Sequence, residues 1–190
     1  LHHKLYNEWA FKGESPSFLT LNFRMNEVTA AVGLAQLERF PKYLEQYNAC
    51  LEIYNEAIAD CKWLRMRTVP KAAKQAGYIW ACLWEGDKAG LDYAKFKALA
   101  TKENVRFYYN FTERPAPTFD VFRVSTAYHK PDCPVRCPFY KGDYRIEKAH
   151  LPVATEILKR IMLLGCIEVP LEVARRNAKA IRRIIAQMES

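Results

Sequence analysis

The chain holds only seven glycines in 190 residues, and they are scattered. A Walker-type phosphate cradle or a dinucleotide-binding turn needs closely spaced glycines whose backbone N–H groups meet phosphate, so neither is expected inside this chain. No nucleophile elbow and no helix with paired histidines occurs either. Long apolar runs are missing too. Each is broken by Arg, Lys or Glu within a few residues, so no segment reads as a membrane span. The opening "LHHKLYNEWAFKGE" lacks the apolar core of a signal peptide. With no export signal, the six cysteines are expected as reduced thiols in a cytoplasmic protein. There is no initiator Met, and the opening reads as a chain entered part-way: a fragment, a processed product or a trimmed chain.

What is present is ordinary globular composition, 50% hydrophobic and 26% charged, enough for one good core with extensions. Lys and Arg outnumber Asp and Glu by 29 to 21, a net charge of +8. Much of the excess sits in "EVARRNAKAIRRIIAQ", where Arg175, Arg176, Lys179, Arg182 and Arg183 share one side of a helix. Ala174, Ala178, Ile181, Ile185 and Met188 line the other. The expected arrangement is a terminal amphipathic helix docked by its apolar stripe, with a solvated basic face. A phosphate-tracking helix is the competing reading, and the same face could meet a nucleotide diphosphate or an acidic partner.

Periodicity orders the rest. Residues 1–21 are irregular, anchored by Trp9, Phe11 and Phe18. Asn26 is placed to cap a helix with Glu27 in its first turn, and Val28, Ala31, Val32 and Ala35 form its apolar stripe. Pro41 is expected to end that helix and start another, which carries Leu44, Tyr47, Leu51, Tyr54 and Ile58 on one seam. Period-two alternation marks strands at 64–69 and 77–86, the second apolar on both faces and therefore central. A helix over 91–104 is capped by Asp92, with Phe96 and Leu99 inward and Asn104 as its left-handed stop. A strand follows at 105–111, then a Pro- and aromatic-rich irregular excursion over 112–150. "LPVATEILKRIMLL" reads as a helix led by Pro152, and "CIEVP" as an extended link into the last helix. The fold class is α+β: a long helix plus a small antiparallel or mixed sheet with helices packed on it.

Two constellations bear on chemistry. His129, Cys133 and Cys137 suggest a metal, but Pro131, Pro134 and Pro138 forbid a helix that would put them on one face. A fourth ligand would have to come from a distant residue such as His150 or Cys166, and structural zinc sites use tighter Cys pairs, so no metal is expected. Cys50, Cys61 and Cys82 fall at core positions. The tripeptide Asn22–Phe23–Arg24 puts an amide and a guanidinium just ahead of a helix start, which suits an anion. Spacing alone leaves this level with the alternative in which Arg24 pairs with Glu27 or Glu38 and Asn22 makes a turn.

The segment "LNFRMNEVTAAVGLAQLERFPKYLEQYNACLEIYNEAIAD" resembles sugar aminotransferases of the DegT/StrS type, pyridoxal 5'-phosphate enzymes of aminotransferase fold type I. The match rests on Asn22, Phe23, Arg24, Met25, Ala30, Ala31, Gly33, Gln36, Leu37 and Tyr54, with Phe23 where the family usually has Tyr. "HLPVATEILKRIMLLGCIEVP" stands where the family has a Pro-led helix followed by a short strand, and its phrasing is closest to members acting on cyclitols.

The resemblance implies the C-terminal part of such an enzyme. Residues 1–25 would be a link from a missing large domain, 26–62 helices connecting large and small domains, and 63–190 a small α+β domain. Asn22 would reach the cofactor phosphate of a neighbouring subunit, and Arg24 and Tyr109 would contact substrate. Around Tyr109 and Asn110 the family's Tyr-His pattern is not clearly reproduced. The Schiff-base lysine would lie upstream, since Lys4 and Lys12 lack its Ser-x-x-Lys setting. No catalytic residue is therefore assigned within the chain, which alone would be inactive and would not hold the cofactor. A homodimer is implied, with glutamate or glutamine as donor and a keto sugar or keto cyclitol as acceptor; neither nucleic acid nor membrane is an expected partner. The alternative is a non-catalytic binding or assembly module using the basic last helix.

Overall fold

The computed structural model describes residues 25–112, 114–119, 138–142 and 151–190. The chain divides into two compact units, Leu1–Pro41 and Lys42–Ser190. In the first, the described residues form the start of helix α1 (Glu27–Ile58). Asn26 caps it, its Oδ1 accepting from Thr29 N at 2.8 Å, as its position predicts. Residues 27–40 are all exposed, including Val28, Val32, Leu34, Leu37 and Phe40.

Pro41 does not end the helix. α1 passes through it, at the cost of one backbone hydrogen bond and a ring–carbonyl clash, about 3 kcal/mol or more. Strong helix formers flank the proline, and beyond it the helix gains a buried seam. Cys50, Leu51, Tyr54, Ala57 and Ile58 are buried, so the expected stripe holds in that half.

The second unit is built on a four-stranded antiparallel sheet in the order β1-β2-β4-β3. Its strands are β1 (Leu64–Met66), β2 (Ile79–Trp84), β3 (Tyr108–Tyr109) and β4 (Ile161–Gly165). β2 is central, as its sequence predicts, and sends Trp80, Cys82 and Trp84 into the core. Gly77, just before it, has φ +62, and a Cβ there would come within 2.6 Å of the Tyr47 backbone and 2.7 Å of the Asn48 backbone. Only glycine lets this turn lie against α1.

β4 departs from the reading of the residues alone, which runs a helix through it. Four consecutive apolar residues, Ile161–Leu164, carry no period that separates a buried strand from a buried helix. The helix α3 (Pro152–Arg160) instead stops at Ile161, whose backbone is already extended. β4 then inserts between β2 and β3, with Met162, Leu163 and Leu164 buried. This is the helix-then-strand order that the family resemblance implies. The expected link "CIEVP" includes a turn at Ile167–Glu168, with Glu168 left-handed at φ 55. The expected strand over 105–111 shrinks to Tyr108–Tyr109, because Val105 N bonds Ala100 O and Phe107 N bonds Val105 O.

Helix α2 (Tyr93–Lys102) is capped by Asp92, which accepts from Ala94 N at 2.8 Å, and Asn104 follows its end at φ 57. Helix α4 (Leu171–Glu189) buries Ala174, Ala178, Ala180, Ile181, Ile184 and Met188 and leaves its five basic residues exposed. Its docked apolar face matches the amphipathic pattern. Around Trp84 the core is aromatic: Tyr93 stacks on it at 4.8 Å, and Trp63 and Phe96 meet it at 5.2 Å. Trp63 Nε1 donates to Glu189 Oε1 at 2.9 Å, which fastens the end of α4. Cys50, Cys82 and Cys166 are buried and Cys61 half-buried.

Candidate functional site

A cleft of about 330 Å³ opens over the aromatic core, between α2 and α3. Two same-face helical pairs supply opposite walls. Tyr93 and Lys97 come from α2, Thr155 and Lys159 from α3, and each pair is four residues apart. Asn110 and Arg114 close it from the segment after β3. Asn110 is held left-handed at φ 56, a conformation that asparagine tolerates better than most residues. Its N–H lies 3.4 Å from Ile161 O and so extends the pairing with β4.

Tyr109, expected on the family pattern to touch substrate, backs this cleft. It is half-buried and packs edge-on to Tyr93 at 6.1 Å. Lys97 Nζ lies 4.0 Å from the Tyr93 ring centre and 4.9 Å from that of Tyr109, a cation–π seat on two rings. Burial pushes the Tyr109 hydroxyl up to about 12, and the nearby Cys82 adds to it. Burial likewise raises Tyr93, so both remain neutral hydroxyls at physiological pH. The Tyr93 hydroxyl is buried without a hydrogen-bond partner among the described residues.

Asn22 and Arg24, the other two expected site residues, lie outside the described residues, as do His129, Cys133 and Cys137. Among the described residues no group of three or more His, Cys, Asp or Glu could hold a metal. Lys97, Arg114, Thr155 and Lys159 were not singled out from the sequence, and Asn110 was named only for its departure from the family pattern. The i, i+4 spacing of Tyr93–Lys97 and of Thr155–Lys159 puts each pair on one helical face, but nothing in it says that the two faces meet.

The cleft can orient a polar ligand. Its lysines, arginine, amide and hydroxyl supply several donors and few acceptors above an aromatic floor, a set suited to hydroxyls or an anionic group. It does not fit a complete cradle for a pyridoxal phosphate. Lys97 is seated on two rings, Lys159 is paired with Glu156 at 2.8 Å, and no acidic residue lines the cleft to meet a pyridine nitrogen.

Solved structures that share this α+β arrangement include aminotransferases. The aminotransferase from Psychrobacter cryohalolentis aligns with 96% of this chain at a TM-score of 0.62 and 14% identity, using 46% of its own length. The Helicobacter pylori PseC, an aminotransferase involved in the biosynthesis of pseudoaminic acid, aligns with 91% at 0.57 and 14%, using 41%. DesI, solved in the presence of its TDP-sugar product, aligns with 97% at 0.59 and 18%, using 42%. At these identities the likeness is one of fold, and the chain spans less than half the length of each. The family comes from the sequence itself: a profile of the DegT/DnrJ/EryC1/StrS aminotransferase family matches residues 3–177, and the chain belongs to that family. Among curated protein sequences no match was found.

Proposed function

We propose that this chain is the C-terminal part of a pyridoxal 5'-phosphate-dependent aminotransferase. The enzyme would move an amino group from glutamate or glutamine to a keto sugar or keto cyclitol. The observation that carries the reading is the family match over residues 3–177, joined to a donor-rich cleft beside Tyr109. When bound, the cofactor supplies the electron sink for amino transfer. The described residues contribute around it: Lys97, Asn110, Arg114 and Thr155 orient the acceptor's hydroxyls, and the ring of Tyr109 backs them. Asn22 holds the cofactor phosphate of a neighbouring subunit, and Arg24 meets a substrate anion. The Schiff-base lysine belongs to a preceding domain, so the chain by itself is inactive.

One further feature agrees with this reading. Val28, Val32, Leu34, Leu37 and Phe40 are exposed on α1, as expected of a helix that packs against a preceding domain or a second subunit. No helix among the described residues is long and apolar enough to cross a membrane.

The test is an amino-transfer assay on the complete enzyme, with glutamate or glutamine and a panel of keto sugars and keto cyclitols. Formation of 2-oxo acid with an aminated acceptor is expected, together with at least a tenfold loss of kcat/KM in Arg114→Gln. Cofactor absorbance without turnover of any panel member would count against the acceptor class. Absence of cofactor absorbance from the complete enzyme would overturn the reading.

A further inference from the structure

A second cleft, of about 510 Å³, shares no lining residue with the first. It opens where the sheet comes apart. Pairing between β3 and β4 stops at Tyr108↔Leu163. Before that point the chain turns its N–H groups inward, Val105 N to Ala100 O and Phe107 N to Val105 O. On the other side β4 ends at Gly165 and the chain turns into α4. The wedge between them is an open cleft lined from both sides.

Its lining is chemically divided. Arg106 comes from the segment before β3 and Arg176 from the second turn of α4. No carboxylate lines it; Glu168 and Glu172, the nearest acids in sequence to its α4 side, lie outside the lining. Among the described residues neither Arg106 nor Arg176 makes an ion pair, whereas Arg183 on the same helix is held by Glu103 and Arg65 by Glu85. The rest of the lining is mixed: Ile167, Val169 and Val173 form an apolar strip beside the amides of Asn104 and Asn177. Tyr108, also in the lining, is 66% exposed. Asn177 is fixed beside Arg176 by donating to the Tyr54 hydroxyl at 3.3 Å. The turn that carries Ile167 is held by Glu168 in the left-handed region, which costs a non-glycine residue about 1 kcal/mol.

We propose that this cleft binds an organic phosphate, its phosphate between Arg106 and Arg176 and its flat or apolar body against Tyr108 and Val173. Guanidinium groups favour phosphate oxygens through paired N–H donors. Two of them, from separate elements, line one cleft that no acid lines, which gives the cleft a positive lining. The volume suits a phosphate plus one ring, and the apolar wall gives such a ligand an advantage over the bare ion. The site stands on its own residues and does not depend on the aminotransferase reading.

The test is calorimetric titration of the full chain with phenyl phosphate and with inorganic phosphate. Phenyl phosphate is expected to bind about tenfold tighter. Arg106→Gln and Arg176→Gln are each expected to weaken it about tenfold or more. Arg175→Gln, an exposed neighbour on α4 outside the lining, is expected to change it less than twofold. All three residues are exposed, so unchanged thermal unfolding should accompany each result. Equal weakening by Arg175→Gln would mean a diffuse basic surface and overturn the site. Equal affinity for inorganic and phenyl phosphate would overturn the role of the apolar wall, and no binding of phenyl phosphate would overturn the proposal.

Discussion

The two halves of α1 carry similar side chains and meet opposite fates. From Cys50 to Ile58 the apolar stripe is buried against the sheet and α4, with Tyr54 1% exposed and packed on Trp80 at 5.6 Å. From Glu27 to Phe40 every residue is exposed, Val28 at 76% and Leu37 at 66%. A hydrophobic period states that a face is meant to be covered; it does not state by what. The second half has its cover within this chain. In the first half, the Ala-rich residues and their apolar neighbours are consistent with an interface contributed from elsewhere in the proposed enzyme.

That contrast can be broken by substitution, and the effects should fall in order. Phe96→Ala, in the aromatic core, should lower unfolding free energy by about 3–5 kcal/mol in urea titrations of the full chain. Gly77→Ala should cost about 1–3 kcal/mol, because it forces a Cβ onto the Tyr47 and Asn48 backbone at positive φ. Tyr93→Phe should raise stability by about 1 kcal/mol, since it removes a buried hydroxyl with no partner among the described residues. An unchanged or lower stability would mean that this hydroxyl is bonded in solution. Leu37→Ala, in the exposed half, should stay within about 0.5 kcal/mol. A loss comparable to that of Phe96→Ala would erase the difference between the halves.

A pH series sharpens the same contrast at the α2–α4 contact. Arg183 bonds Glu103 from Nε and Nη2 and holds its carboxyl below the ordinary carboxylate range. A depressed carboxylate contributes stability above its unfolded value and loses it as pH falls through its folded value. Glu103→Gln should therefore lower stability slightly at neutral pH and leave it unchanged at low pH, which flattens the acid limb by that same small amount; the effect is small because the Arg183 side chain is solvent-exposed.

Much of the fold was legible because local signals and burial agreed. Asp92 and Asn26 cap where their positions predict, the alternation of 79–84 is a central strand, and the stripe of α4 is buried. β4 was hidden from the residue pattern because Ile161–Leu164 is apolar throughout, and its strand identity is set by pairing to β2 and β3, a tertiary fact. Pro41 misled because a local penalty of a few kcal/mol was outweighed by helix formers on both sides. The candidate cleft was half legible. Tyr109 was named from the family pattern, while Lys97, Thr155 and Lys159 gain meaning only once α2 and α3 face each other. Asn22 and Arg24 lie outside the described residues, and the roles proposed for them rest on the resemblance of the Asn-Phe-Arg stretch to the family pattern.

The most direct test of the aminotransferase reading is the affinity of the complete enzyme for pyridoxal 5'-phosphate, with and without Asn22→Ala. The account predicts that the substitution weakens cofactor binding about tenfold or more, through loss of a hydrogen bond to a charged phosphate. Unchanged affinity would contradict it.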